Sequence, residues 1–237
     1  MKIPANFTDR AFYIQHIVPY EYAKKFSKSK VVLDVGTSKG YGAFCLSEAA
    51  KLAVGLDIDP EAIKSSQEAY QKDNLKYVLS SVLDIQFPDR YFDVIISSQV
   101  VEHIALDKLD TYLSELARVL KDDGVIFINT LNVLHNLKGR KPEDPYDKCT
   151  QHVKEFKPEE FREFLKRRFP KVEVLGLRRN FRHQVFHLLK KSGLLKKLPD
   201  KINPLCDFYQ NKISIKDFVY SASGLEKSID LFGICRK

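Results

Sequence analysis

The stretch VVLDVGTSKGYG, Val31 to Gly42, restricts what this chain can fold into more than any other. Apolar and β-branched residues lead to Asp34. Gly36, Gly40 and Gly42 then let the backbone turn sharply and lie close to a ligand before a helix begins. A second apolar run, LAVGLDID, ends at Asp57, about 20 residues beyond Gly36, the separation at which an acidic side chain reaches a ribose hydroxyl. Together they predict a strand, turn, helix and strand around a bound nucleoside. The glycines are spaced G-x-x-x-G-x-G rather than as the G-x-G-x-x-G of a dinucleotide fingerprint, so pyrophosphate is disfavoured.

The chain around this element alternates between the two periodicities. Helices are expected over YGAFCLSEAA, PEAIKSSQEAYQK and ALDKLDTYLSELARVL, and buried parallel strands over LKYVLSSVLDI, FDVIISS and GVIFINT. Such alternation predicts an α/β fold with a doubly wound, mostly parallel sheet and a ligand at the carboxyl ends of its strands. A helix PEEFREFLKRRF, a strand KVEVLGL and a last strand SIDLFGICRK complete the pattern, for seven strands in all. A single domain is expected, divided into a cap or lid (1–30), a cofactor-binding core (31–177), a basic helical insertion (178–225) and the last strand (226–237). In the cap, Pro19 is suited to open a helix through YEYAKKF. Residues 131–157 lack periodicity and read as a functional loop.

Composition limits the setting. No run approaches the roughly 20 apolar residues of a membrane span, and MKIPANFTDR lacks a secretory apolar stretch, so a cytoplasmic protein is expected. The four cysteines, Cys45, Cys149, Cys206 and Cys235, are scattered and suggest free thiols. The formal charge is +8, yet residues 178–201 hold eight Lys or Arg against one acid, Asp200. A nearly balanced body thus carries a local basic segment, which points to an acidic partner: phospholipid, phosphorylated glycan or nucleic acid. Within it Phe181, Val185, Leu188 and Leu189 follow helical spacing, the outline of an amphipathic basic helix that could make peripheral contact with an anionic membrane.

In order, VVLDVGTSKGYG, GLDID, SSVLDIQFPDRYFDVIISSQVVEHI, LARVLKDDGVIFINT and HVKEF resemble the successive motifs of class I S-adenosylmethionine-dependent methyltransferases of the type 11 kind, including members in surface-glycan and lipid-linked sugar pathways. The resemblance covers most of residues 31–177 and the final strand. It implies a Rossmann-like sheet with an antiparallel last strand and S-adenosylmethionine as cofactor. It also implies site residues: Asp34, Gly36, Thr37, Ser38 and Gly40 around the methionine part, Asp57 on the ribose hydroxyls, Ile58 against adenine, Ser81 and Val82 at the adenine edge, and Ser98 and Gln99 by the methyl-transfer channel. Ser38 stands where the family's D-x-G-x-G-x-G has its middle glycine.

Methyl transfer to a hydroxyl needs an aligned nucleophile and a group to take its proton. His152, in HVKEF, and His103, in VVEHI, are the candidate bases, with Glu102 and Glu155 able to orient them. The fourth strand ends in SSQVVEH rather than the Asn/Asp-Pro-Pro-aromatic signature for nucleobase amines, which favours a hydroxyl or carboxyl acceptor. His183 and His187 lie four apart but lack the glutamate of H-E-x-x-H, and no metal site is expected. The first expectation is O-methylation of a sugar, lipid-linked or small-molecule acceptor. The alternatives are an RNA methyltransferase that uses residues 178–201 and a non-catalytic cofactor-binding scaffold.

Overall fold

The structure, a computed structural model, describes residues 9–140, 149–195 and 198–237. Residues 1–8 of the expected cap, 141–148 of the expected loop, and Lys196 and Lys197 of the basic segment lie outside the described residues.

The chain runs α1 (Arg10–Ala23), β1 (Val31–Val35), α2 (Tyr41–Ser47), β2 (Leu52–Asp57), α3 (Pro60–Ala69), β3 (Leu75–Leu79), β4 (Phe92–Ser98), α4 (Leu109–Val119), β5 (Leu120–Leu131) and α5 (Val133–Leu137). It continues through α6 (Pro158–Lys166), β6 (Lys171–Arg179), α7 (Phe181–Ser192), α8 (Pro204–Asp207), β7 (Phe218–Ser221) and β8 (Asp230–Arg236). The strands form one sheet in the order β3-β2-β1-β4-β5-β8-β6-β7. Neighbours within β1 to β5 pair in parallel, β8 runs antiparallel to both β5 and β6, and β7 antiparallel to β6. β6 therefore points the same way as β1 to β5, and the carboxyl ends of all six share one edge.

The strands read as continuous apolar runs because both faces of the sheet are covered. In β4, Ile95 packs with Leu113 and Leu116 of α4 and Phe161 and Leu165 of α6. Its neighbours Val94 and Ile96 point the other way, onto Ile14 and Ile17 of α1 and Leu46 of α2. Burying one such side chain contributes about 1.5–3 kcal/mol, so the two apolar layers fix the register.

Three expectations are corrected. The sheet has eight strands rather than seven. The extra one, β7, is the four-residue FVYS within the segment read as a helical insertion, and it pairs with Gly176–Arg179 at the sheet edge. The third strand stops at Leu79 instead of Ile85, because the hydroxyls of Ser80 and Ser81 accept from the Gln86 and Leu83 amides (3.4 and 3.1 Å) and fold the chain into turns. Glu115 and Arg118 of α4 then hold that turn by its backbone, at the Ile85 amide (2.8 Å) and the Ile85 carbonyl (2.7 Å). Finally, the first helix opens at Arg10, where Asp9 caps it by accepting from the Phe12 amide (3.1 Å), and Pro19 lies inside it.

Candidate active site

The glycine turn leaves β1 at the carboxyl edge with Gly36 at φ +68° and Gly40 at +76°. A β-carbon on Gly36 would fall 2.5 Å from Val100 Cγ2, so the position needs glycine twice, for conformation and for space. Ser38 occupies the left-handed region as well, at φ +46°, and its amide donates to Asp57 Oδ2 (2.8 Å). The turn is braced from behind. Ser66 Oγ donates to the Ser38 carbonyl (2.9 Å) and Tyr77 Oη to the Gly40 carbonyl (2.7 Å).

A cavity of about 660 Å3 opens between this turn, the end of β2, the turn after β3 and the segment after β4. Gly36, Ser38, Asp57, Ile58, Ser81, Val82, Gln99 and His103 line it, joined by residues that the sequence did not single out, among them Ser80, Leu83, Val100, Ile104 and Gln151. Asp34, Thr37, Gly40, Ser98 and His152 are absent from its wall. Asp34 is fully buried under the turn, where Thr37 Oγ1 donates to its Oδ2 (2.7 Å). Burial pushes the Asp34 carboxyl up to about 7 against the opposing bonds from Thr37 and Tyr20. The third glycine of the motif makes room for that arrangement: a β-carbon on Gly42 would lie 2.3 Å from the Tyr20 ring. Ser98 Oγ accepts from Asn129 Nδ2 (3.2 Å).

The cavity suits a nucleoside. Asp57 Oδ2 accepts from the Ser38 amide and Oδ1 from the Asp59 amide (3.0 Å), which fixes the carboxylate with lone pairs left for two ribose hydroxyls. Ile58 is 72% exposed on the wall, an aliphatic surface for the face of a base. Ser81 and Val82 bring a hydroxyl and an amide to the same wall.

Of the two candidate bases, His103 lines the cavity and His152 lies next to it, beside Gln151 of the wall. The amide of Val153 donates to the Glu102 carbonyl (2.7 Å), which pins the loop containing His152 to the segment after β4. The His103 and His152 rings lie 4.9 Å apart, edge to face. His152 Nδ1 bonds Glu155 Oε1 (2.9 Å), and Glu155 Oε2 accepts from Asn136 Nδ2 (2.9 Å). His103 Nδ1 bonds the Gln151 carbonyl (3.2 Å), and burial holds its pKa below the usual value against that bond. Donation from Nδ1 in both rings leaves each Nε2 as a lone-pair acceptor. Glu102 is fully buried; Thr130 Oγ1 donates to its Oε2 (3.0 Å), Oε1 has no partner among the described residues, and burial raises the carboxyl to about 8. Ligand atoms of Glu102, His103 and His152 lie within 4.8 Å of one another, so the same three residues offer a donor set for a divalent cation.

His183 and His187, by contrast, are on α7 and line a different cavity.

Residues 33–128 match the family model of a methyltransferase domain, Methyltransf_11. A probable S-adenosylmethionine-dependent methyltransferase of Mycolicibacterium smegmatis is 27% identical over 69% of this chain and 60% of its own length. A ubiquinone biosynthesis O-methyltransferase of Pelagibacter ubique is 28% identical over 44% of this chain and 43% of its own. The chain thus spans about three fifths, or less, of the length of these curated relatives. Among solved structures, an S-adenosylmethionine-dependent methyltransferase from Archaeoglobus fulgidus superposes with a TM-score of 0.60 at 18% identity, covering 96% of this chain and 94% of that one. The motif-bearing turn, the sheet order and the domain matched over residues 33–128 together support a class I S-adenosylmethionine-dependent methyltransferase.

Proposed function

We propose that the chain binds S-adenosylmethionine in the larger cavity and methylates an oxygen of a sugar, lipid-linked or small-molecule acceptor. Residues 31–177 form the cofactor-binding core in this reading, residues 1–30 its cap, and residues 178–225 an appended basic segment. Asp57 holds the ribose, Ile58, Ser81 and Val82 the adenine, and Gly36, Ser38 and Gln99 the rest of the cofactor, with Asp34, Thr37, Gly40 and Ser98 shaping the turn and strand end behind them. When bound, the cofactor supplies the electrophilic methyl group. The observation that carries the proposal is the Glu155–His152 pair packed against His103, which lines the cavity. Glu155 fixes the His152 tautomer so that Nε2 takes the acceptor's hydroxyl proton, and the resulting imidazolium is stabilised by the carboxylate. His103 lines the cavity wall and positions the hydroxyl.

The test is transfer of labelled methyl from S-adenosylmethionine to a panel of hydroxylated acceptors, with chelator present. Transfer that survives chelation supports the base. Loss restored by a divalent cation moves Glu102, His103 and His152 to metal ligation, and cofactor binding without any turnover leaves a binding protein.

A second observation bears on the partner. Among the described residues no helix is long and apolar enough to cross a membrane. Yet α7 turns its apolar stripe outward: Phe181 is 86% exposed and Leu188 56%, with Val185 also exposed, while His183 and Phe186 face the body. No acid occurs between Arg178 and Pro199. Apolar side chains framed by cations suit the boundary of an anionic bilayer, which attracts each basic residue by about 1 kcal/mol. A second copy of this surface would instead meet like charge. The chain has no tryptophan, so Phe181→Trp gives a single reporter. A blue shift of its emission with anionic but not neutral vesicles, weakened by salt, supports membrane contact; tight RNA binding without a vesicle effect gives the segment to RNA.

A further inference from the structure

The carboxyl edge of the sheet carries another cavity, of about 400 Å3, between the start of α1 and the inner face of α7. Arg179, the last residue of β6, lines it with His183, His187, Lys190 and Lys191 of α7 and Gln15 of α1. Its charges do not balance. Three cations stand against one lining acid, Asp9, whose Oδ1 already caps α1. Arg182, also on α7, is paired with Asp217 (2.8 Å), but among the described residues no carboxylate lies within 4.0 Å of Arg179, Lys190 or Lys191.

Two of its polar atoms are cut off from water. Among the described residues, Arg179 Nε and His183 Nδ1 are buried with no hydrogen-bond partner, and His183 as a whole is 4% exposed. Leaving a buried polar group unmatched costs about 1–3 kcal/mol, more for a charged one. The acid that acts on Arg179 from behind, Asp230, is itself buried, and its carboxyl is pushed up to about 7, which makes it a poor counter-ion. Burial, then the Arg179 charge, push His183 and His187 down to about 4, for His183 against the raising effect of the Asp217 backbone and carboxylate, so both rings are neutral near pH 7 and each carries one N–H.

We infer that this cavity binds the phosphate group of a soluble ligand, with Arg179 as its main cation and His183, His187 and Lys191 as further donors. A guanidinium presents paired N–H donors matched to phosphate oxygens, and an excess of cations suits a dianion better than a single carboxylate. The apolar stripe of α7 lies on the opposite face of the helix, so a lipid headgroup held there is directed away from this cavity. That the phosphate belongs to the methyl acceptor rests on the transferase reading; binding itself does not.

The experiment is a titration of the full chain with inorganic phosphate, without cofactor, followed by calorimetry and by the carbon-bound proton resonances of the histidines. Expected are saturable binding with a dissociation constant on the order of 1 mM or below, shifts at His183 and His187, and a rise in the pH at which both titrate. Arg179→Gln weakens binding about tenfold or more. Lys191→Gln, at an exposed position that leaves the fold intact, weakens it severalfold, whereas Lys216→Gln leaves it unchanged. Absence of saturable binding, or affinity unchanged in both Arg179→Gln and Lys191→Gln, overturns the assignment. Displacement of phosphate by anionic vesicles overturns the soluble-ligand part. Because no cofactor is present, failure here leaves methyl transfer standing, and failure of methyl transfer leaves this result intact.

Discussion

The two cavities on the carboxyl edge of the sheet are built on opposite plans. In the larger one the chief charge is satisfied locally: Asp57 accepts two backbone amides, and the turn facing it is braced by Ser66 and Tyr77. In the smaller one polar groups are left open, with the charged Arg179 at Nε and the neutral His183 at Nδ1 buried and, among the described residues, unmatched. The His103–His152 pair stands between these extremes, oriented on one ring nitrogen and open on the other. A site for one invariant ligand can be completed by its own backbone. In the phosphate-binding proposal, the site keeps donors free at a cost in stability that its ligand relieves.

That contrast can be broken most readily at His152. His152→Ala is expected to lower turnover about a hundredfold or more, since a general base acts in the transition state. Cofactor affinity measured by calorimetry should hardly move. A full-rate variant would transfer the proton to His103 or leave proximity alone as the source of catalysis. Next in size is Asp57→Ala, which removes charge-assisted bonds to two hydroxyls and should weaken S-adenosylmethionine binding by about 1.5–3 kcal/mol. Unchanged affinity in the same titration would remove Asp57 from the site and erase the difference between the two plans.

How far each region was legible follows from how local it is. The turn from Asp34 to Gly42, the strand ending at Asp57 and their parallel pairing lie within one βαβ unit, so spacing alone locates them. Even there the sequence did not separate the wall of the cavity from its support. Asp34 and Gly42 sit in the motif, but their partner is Tyr20, from a helix that precedes the strand, and only packing reveals that they form the floor. The base pair was visible as two separate histidines. What joins them is a backbone bond from Val153 to Glu102 across some 50 residues of chain, for which no periodicity exists. The eighth strand was hidden for the opposite reason: FVYS is too short to show alternation, and it becomes a strand because Gly176–Arg179 offers an open edge. Similarly, the apolar spacing of α7 was readable, while the direction in which the stripe points was fixed by Phe186 stacking on Phe208 (4.1 Å between ring centroids).

Smaller in effect is the pH dependence introduced by Glu102. Its folded pKa, about 8, lies above the ordinary carboxylate value, so between roughly pH 4.5 and 8 the folded state holds a proton that the unfolded state has lost. Its contribution to stability is fully present below that window and is lost as pH rises through it, with a slope of up to about 1.4 kcal/mol per pH unit. Glu102→Gln mimics the protonated form and should flatten the decline in denaturant midpoint between pH 5 and 8. An equally steep decline in the variant assigns it elsewhere, with Asp34 and Asp230, both raised to about 7, as the next carboxyls to replace.

The smallest effect sharpens the comparison inside the cofactor turn itself. Ser38 takes the place of the family's middle glycine and adopts φ +46°, a region that costs an L-residue roughly 1–2 kcal/mol. Glycine removes that strain but adds freedom to the unfolded chain, worth about 0.4–1 kcal/mol the other way. The bond from the Ser38 amide to Asp57 uses only backbone and survives the change, as does the bond from Ser66 to the Ser38 carbonyl. Ser38→Gly should therefore raise stability by about 1 kcal/mol or less, with cofactor affinity unchanged, as read from denaturant midpoints and calorimetry on the same samples. A loss of affinity with no loss of stability would mean that the Ser38 hydroxyl itself contacts the cofactor, and that the serine is a ligand of this turn rather than a tolerated strain within it.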